Sequence, residues 1–216
     1  MSGRRWNGPI NAPGTNEFWE EILEHPTTPM NWTQFEGGYN VKKYLSLHDQ
    51  CKIVKVTDQK EFNTVRKLVN DTWKPGLVGI GADAANIVCK SLLVTGVERI
   101  ENVDLWDNYI HERAKLIRSF LKNGPFEKLE NHSNEGSILT ARYIDSPLTG
   151  AIYPELNEFY LFHGTKSQFV DNIIRMGMDP RHSGDHPMMG RGNYCAESST
   201  KSDQYAGIEN KVSYFL

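Results

Sequence analysis

Phe162-His163-Gly164-Thr165 is followed along the chain by Gly190-Arg191-Gly192-Asn193-Tyr194-Cys195-Ala196 and then by Ser199-Thr200-Lys201-Ser202-Asp203-Gln204-Tyr205. His163 and Tyr194 stand 31 positions apart, and Tyr194 and Tyr205 stand 11 apart. These residue types suit a flat, neutral carboxamide ring carried on a sugar. Tyr194 and Tyr205 could offer two aromatic faces, each contact worth about 0.5–1.5 kcal/mol beyond its burial. The amide edge needs one donor and an acceptor close by, which the backbone of Gly164 could supply because its missing Cβ permits close approach. Ser202 could add a hydroxyl to the amide oxygen, and His163, with two ring nitrogens, suits a ribose hydroxyl. Thr165 is a second candidate for sugar contact. Each residue alone has an ordinary reading: a hydrogen-bonded histidine at a strand end, a half-buried strand tyrosine, glycines in a turn. Their joint order carries the weight.

In that order the three segments resemble the NAD-binding signature of the diphtheria-toxin-like ADP-ribosyltransferases, in particular the poly(ADP-ribose) polymerase family. The resemblance implies an α+β fold of split, antiparallel-rich sheets flanked by short helices. It implies NAD as co-substrate with no metal, protein acceptors for the ADP-ribose, and release of nicotinamide. It assigns the catalytic site to His163 and Tyr194, and NAD binding to His163, Gly164, Thr165, Tyr194, Ser202 and Tyr205, with Asp179 and Arg181 over the adenosine half. Transfer of single units or of polymer stays open. The alternative is a catalytically inactive member serving as a ligand-binding or interaction module, which has less need of the whole pocket.

Cleaving the bond between nicotinamide and ribose develops oxocarbenium character, so catalysis should rest on positioning and electrostatic help rather than on a protein nucleophile. The family gives that help to a Glu on a later strand. Val212 to Leu216 reads as the middle of a core strand, so that Glu and further strands are expected beyond Leu216, and the chain reads as a truncated form. Glu197 and Glu209 do not match the family's position. Cys195 stands where Phe is usual and Asn193 where a small or aliphatic residue is usual.

Several elements must position these groups. Glu158 to Phe162 reads as the strand delivering His163, and Ser167 as the cap of a helix that turns Phe169, Val170, Ile173 and Ile174 inward and closes at Gly177. Upstream, Cys51 to Val56 alternates as a strand, and Asp58 with Glu61 forms a capping box for a helix to about Thr72. Leu92 to Arg99 reads as a second strand. Val97-Glu98-Arg99-Ile100-Glu101-Asn102 leading into Leu105-Trp106 resembles another family signature, and a helix with Leu105, Trp106, Tyr109, Ile110, Leu116, Ile117, Phe120 and Leu121 on its apolar face runs to Gly124. The resemblance thus spans about Pro29 to Leu216, with residues 1–28 as a flexible N-terminal arm and 29–216 as the catalytic domain. Within the arm, Phe18, Trp19, Ile22 and Leu23 at helical spacing would pack on the domain or bind something else.

The 216 residues carry a formal net charge of −3, so no basic footprint indicates nucleic acid. No apolar run is long enough to cross a membrane, and the N-terminus lacks an apolar signal segment, which places the chain inside the cell, in nucleus or cytoplasm. Cys51, Cys89 and Cys195 are widely spaced, against a disulfide framework. A zinc reading would need His182, His186 and Cys195 with a fourth ligand that the sequence does not offer. No Gly-x-Gly-x-x-Gly opens a βαβ unit, so the Rossmann route to NAD is absent.

Overall fold

The structure, a computed structural model, describes residues 15–35, 50–78, 91–129, 136–144, 152–182, 190–206 and 212–215. The readings that involve Cys89, His186 and Glu209 fall outside the described residues. Among the described residues the architecture is α+β, with helices and two two-stranded sheets. The chain divides into two compact units, the first built from residues 1–54, 99–129 and 148–158 and the second from the rest.

In the first unit, α1 (Asn16–Glu24) starts where Thr15 accepts a hydrogen bond from the Phe18 amide. It is a packed element: Phe18, Trp19 and Ile22 join Ile117, Phe120 and Leu156 in one core. Of the two fates open to its apolar stripe, packing is the one observed. Strand β1 (Cys51–Lys55) pairs with β2 (Glu98–Asn102). The second strand was expected over Leu92 to Arg99; residues 91–97 instead form no regular element, and Leu93 is exposed. Asn102 then caps α3 (Val103–Asn123), accepting from the Leu105 amide at 3.1 Å, and Gly124, with φ 89°, ends it in a conformation costly for other residues.

The buried stripe of α3 departs from the apolar pattern. Leu116 and Tyr109 are partly exposed, while Arg113 is buried. Its guanidinium bonds both oxygens of Glu158, at 2.7 and 2.9 Å, and lies over the rings of Tyr109 and Tyr153 at 4.8 Å each. Burial works against the Arg113 charge, and the Glu158 bonds more than offset it, holding its pKa above the usual value. Burial, reinforced by the Glu158 charge, pushes the Tyr109 phenol up. A second buried carboxylate, Glu101, accepts from the Thr33 and Gln34 amides at 2.8 and 2.7 Å and pairs with Arg99. It pins the segment whose Trp32 and Phe35 pack with Val103. Both charges are tolerable because each is fully engaged.

In the second unit, α2 (Gln59–Asp71) begins as expected, with Asp58 accepting from the Glu61 amide at 2.7 Å. Its Leu68 and Val69 pack with Phe162, the first residue of β3 (Phe162–Thr165). The delivering strand is thus shorter than expected, since residues 158–161 form no regular element. Strand β3 pairs antiparallel with β4 (Val212–Phe215), His163 opposite Tyr214 and Gly164 opposite Ser213. Helix α4 (Leu139–Tyr143) packs on α2. Helix α5 (Ser167–Met176) includes Ser167 as its first residue rather than as its cap, which falls at Lys166 without a side-chain bond. Its buried anchor is Ile174, whereas Phe169 is exposed, and Gly177 closes it at φ 79°. Helix α6 (Ser199–Asp203) follows the segment around Tyr194.

Candidate functional site

Phe162 exchanges backbone hydrogen bonds with Ala196, at 2.8 and 2.7 Å, which clamps the segment bearing Tyr194 alongside β3. One residue on, His163 Nδ1 lies 2.8 Å from the Tyr194 carbonyl oxygen. A carbonyl can only accept, so Nδ1 carries the proton. In the neutral imidazole Nε2 is then the acceptor, ready for a hydroxyl donor such as a sugar's. The Tyr194 phenol donates to the Gly190 carbonyl, holding its ring over the turn that precedes it.

Gly164 faces α6. A Cβ there would overlap the Ser202 carbonyl oxygen and come within 2.7 Å of the Ser202 carbonyl carbon. The missing side chain therefore serves first the close approach of two backbones, and only through it any approach of a ligand. Gly164 and Ser202 were separate readings in the sequence; the fold makes them one surface. The Ser202 hydroxyl lies 3.0 Å from where that Cβ would be, is 2% exposed, and has no hydrogen-bond partner among the described residues. Trp19 Nε1 and Thr140 Oγ1 share that orphaned state. Only Ser202 sits beside a glycine and in the same segment as a half-exposed tyrosine.

Tyr194 and Tyr205 are 43% and 45% exposed, as aromatic faces available to a ligand must be. Tyr205 is joined to Ser202 through its amide, at 3.1 Å, and carries the Lys201 ammonium 5.0 Å from its ring centroid. Thr165 is buried at the end of β3. Asp179 and Arg181 are bound to each other, the Asp179 carboxylate accepting from the Arg181 amide at 2.9 Å and from its guanidinium. Engaging an adenosine would require that pair to share or exchange partners. Glu197 accepts from the Leu139 amide at 2.7 Å, at the start of α4, a capping use that accounts for its carboxylate.

What positions α6 was not legible. Ser198 caps it, accepting from the Lys201 amide, while Ser199 hydrogen-bonds to the C-terminal end of α2 and Thr200 accepts from the Lys74 amide just beyond it. Hydroxyls in sequence signal caps in general, but nothing in the spacing indicates a partner more than a hundred residues away.

Cys195 is outside any disulfide, and partial burial pushes its thiol up, which disfavours the nucleophilic thiolate. Among the described residues no cluster of His, Cys, Asp or Glu could hold a metal, and no helix is long and apolar enough to cross a membrane.

A family model described as the poly(ADP-ribose) polymerase catalytic domain matches residues 59–216. The human protein mono-ADP-ribosyltransferase PARP11 is 27% identical over 127 residues, covering 57% of this chain and 28% of its own. Its mouse counterpart is 28% identical over 110 residues, covering 50% and 24%. The chain thus matches only about a quarter of the length of these relatives.

Proposed function

Because the chain belongs to the poly(ADP-ribose) polymerase catalytic domain family, we propose that it forms the NAD site of an ADP-ribosyltransferase acting on protein acceptors. The observation that carries the proposal is the buried Ser202 hydroxyl, unpartnered among the described residues, at the bare Gly164 backbone, in a stretch of chain flanked by the half-exposed Tyr194 and Tyr205. An orphaned buried hydroxyl costs about 1–3 kcal/mol, a cost that a carboxamide oxygen would relieve on binding. In this reading nicotinamide lies between Tyr194 and Tyr205, its amide oxygen taking the Ser202 hydroxyl and its edge meeting the Gly164 backbone. His163 Nε2 accepts from a ribose hydroxyl, its ring held by the Tyr194 carbonyl. Thr165 adds a sugar contact, and the Asp179–Arg181 pair opens toward the adenosine half.

The reaction breaks the glycosidic bond so that nicotinamide leaves with the bonding electrons, neutralising its ring nitrogen. An acceptor side chain attacks the anomeric carbon from the other face and gives up a proton. The chain's part is to hold the leaving group flat and the ribose oriented. The relatives named as mono-ADP-ribosyltransferases favour transfer of single units, inside the cell where NAD and acceptors occur.

Titration with benzamide, followed by thermal denaturation, tests the pocket. Saturation to a hundred times the dissociation constant should add about 2.7 kcal/mol of stability. Labelled NAD then separates the two functional readings in a chain extended past Leu216 far enough to carry the expected Glu: label moved to protein supports the transferase, and binding without transfer supports the non-catalytic module. No stabilisation of a folded chain by benzamide overturns the pocket.

A further inference from the structure

Ser202 is held from two sides. On one side the Gly164 backbone stops it. On the other, the first turn of α6 is bonded to the C-terminal end of α2, where helix geometry leaves carbonyls without partners. The Ser199 hydroxyl donates to the Val69 carbonyl at 2.7 Å, and the Thr72 hydroxyl donates to the Leu68 carbonyl at 2.8 Å. With its proton so used, Thr72 Oγ1 accepts from the Ser199 amide at 3.3 Å. Thr200 Oγ1 accepts from the Lys74 amide at 2.6 Å. Thr72 and Ser199 are both fully buried, so these bonds are not exchanged with water.

We propose that Thr72 and Ser199 are positioning residues for the carboxamide site: their hydroxyl pair, closed on the last carbonyls of α2, sets how deeply Ser202 presents its hydroxyl and carbonyl beside Gly164. The inference rests on the reading of that site as a carboxamide pocket. Ser202 lies one turn after Ser199 in a helix of five residues, too short to hold its own geometry, so an anchor at its start fixes the residue at its end. The two hydroxyls touch no ligand themselves.

The test uses two probes on one chain, benzamide for the carboxamide half and ADP-ribose, which lacks that half. Thr72→Val and Ser199→Ala should each weaken benzamide about tenfold, as expected for one misplaced hydrogen bond, and leave ADP-ribose affinity within about twofold, inside the spread of such measurements. Thr72→Ser, which keeps the hydroxyl, should bind benzamide as the unaltered chain does. Unchanged benzamide affinity in both hydroxyl-deleted variants, equal losses for the two probes, or a loss in Thr72→Ser matching that in Thr72→Val would overturn the proposal. If one deletion variant does not fold, the other decides. If neither folds, the pair is structural only and the proposal fails. An unaltered chain that ignores benzamide defeats the pocket reading itself, and the positioning role with it.

Discussion

The two units bury polar groups to opposite ends. In the first, the carboxylates of Glu101 and Glu158 are buried and each collects several donors, from Thr33, Gln34 and Arg99 in one case and from Arg113 and the Tyr153 amide in the other. In the second, the residues around Ser202 are bonded into place and the Ser202 hydroxyl is left over. Satisfied buried charge ties segments together and leaves little for a ligand to gain. An unsatisfied hydroxyl in a segment that also bears half-exposed tyrosines has an interaction still to make, the one the proposed pocket gives to a carboxamide. Trp19 Nε1 shows that orphaning alone is insufficient, since its indole is packed against the rings of Phe18, Phe120 and Tyr153 in the core of the first unit.

The comparison breaks hardest at the ion pair. Arg113→Ala leaves Glu158 buried without its main partner and should cost about 3–5 kcal/mol in urea denaturation. If the first unit only scaffolds, benzamide affinity in whatever fraction stays folded should hardly change. Gly164→Ala comes next. Its Cβ must displace the Ser202 carbonyl, which is backbone, so a loss of about 1–3 kcal/mol is expected with near-complete loss of benzamide binding. Gly164 substitutions therefore damage the fold as well as the pocket, and an alanine variant of full stability that still binds would show the close approach to be unimportant.

Tyr194→Ala should do the reverse, lowering benzamide affinity by about tenfold through the loss of one aromatic face, while melting stays nearly unchanged because the ring is half exposed. A melting loss as large as that of Gly164→Ala would remove the contrast. The smallest effect is alkaline. Burial raises the Tyr109 pKa above its unfolded value, so the native state holds its proton longer. Stability from this source is intact below the unfolded pKa, near 10, and declines as pH rises beyond it. Tyr109→Phe should flatten that decline in melting temperature, and an identical alkaline limb in the variant would assign it elsewhere.

Much was decided by local sequence. Asp58 suffices to start α2, Asn102 to start α3, and Gly124 and Gly177 to end helices, because capping depends on a few adjacent dihedrals and bonds. The members of the proposed pocket could be named from sequence as well, since aromatic faces, a bare glycine and a hydroxyl in one order are a chemical statement before they are a shape. Beyond local order, sequence falls short. The strand over Leu92 to Arg99 slid to Glu98–Asn102 because an alternating apolar pattern does not say which residues find a partner. Arg113 shows no role in the sequence until Glu158 is brought to it across 45 positions, and Gly164 reads as a ligand contact until Ser202 is laid against it. The same holds for Thr72 and Ser199, whose hydroxyls are unremarkable in sequence and meet across 127 positions. Residue types determined what chemistry was available; only the packing of α6 between β3 and the end of α2 decided which hydroxyl was left to do it, because a hydrogen bond's worth depends on whether its partner is another part of the fold or water.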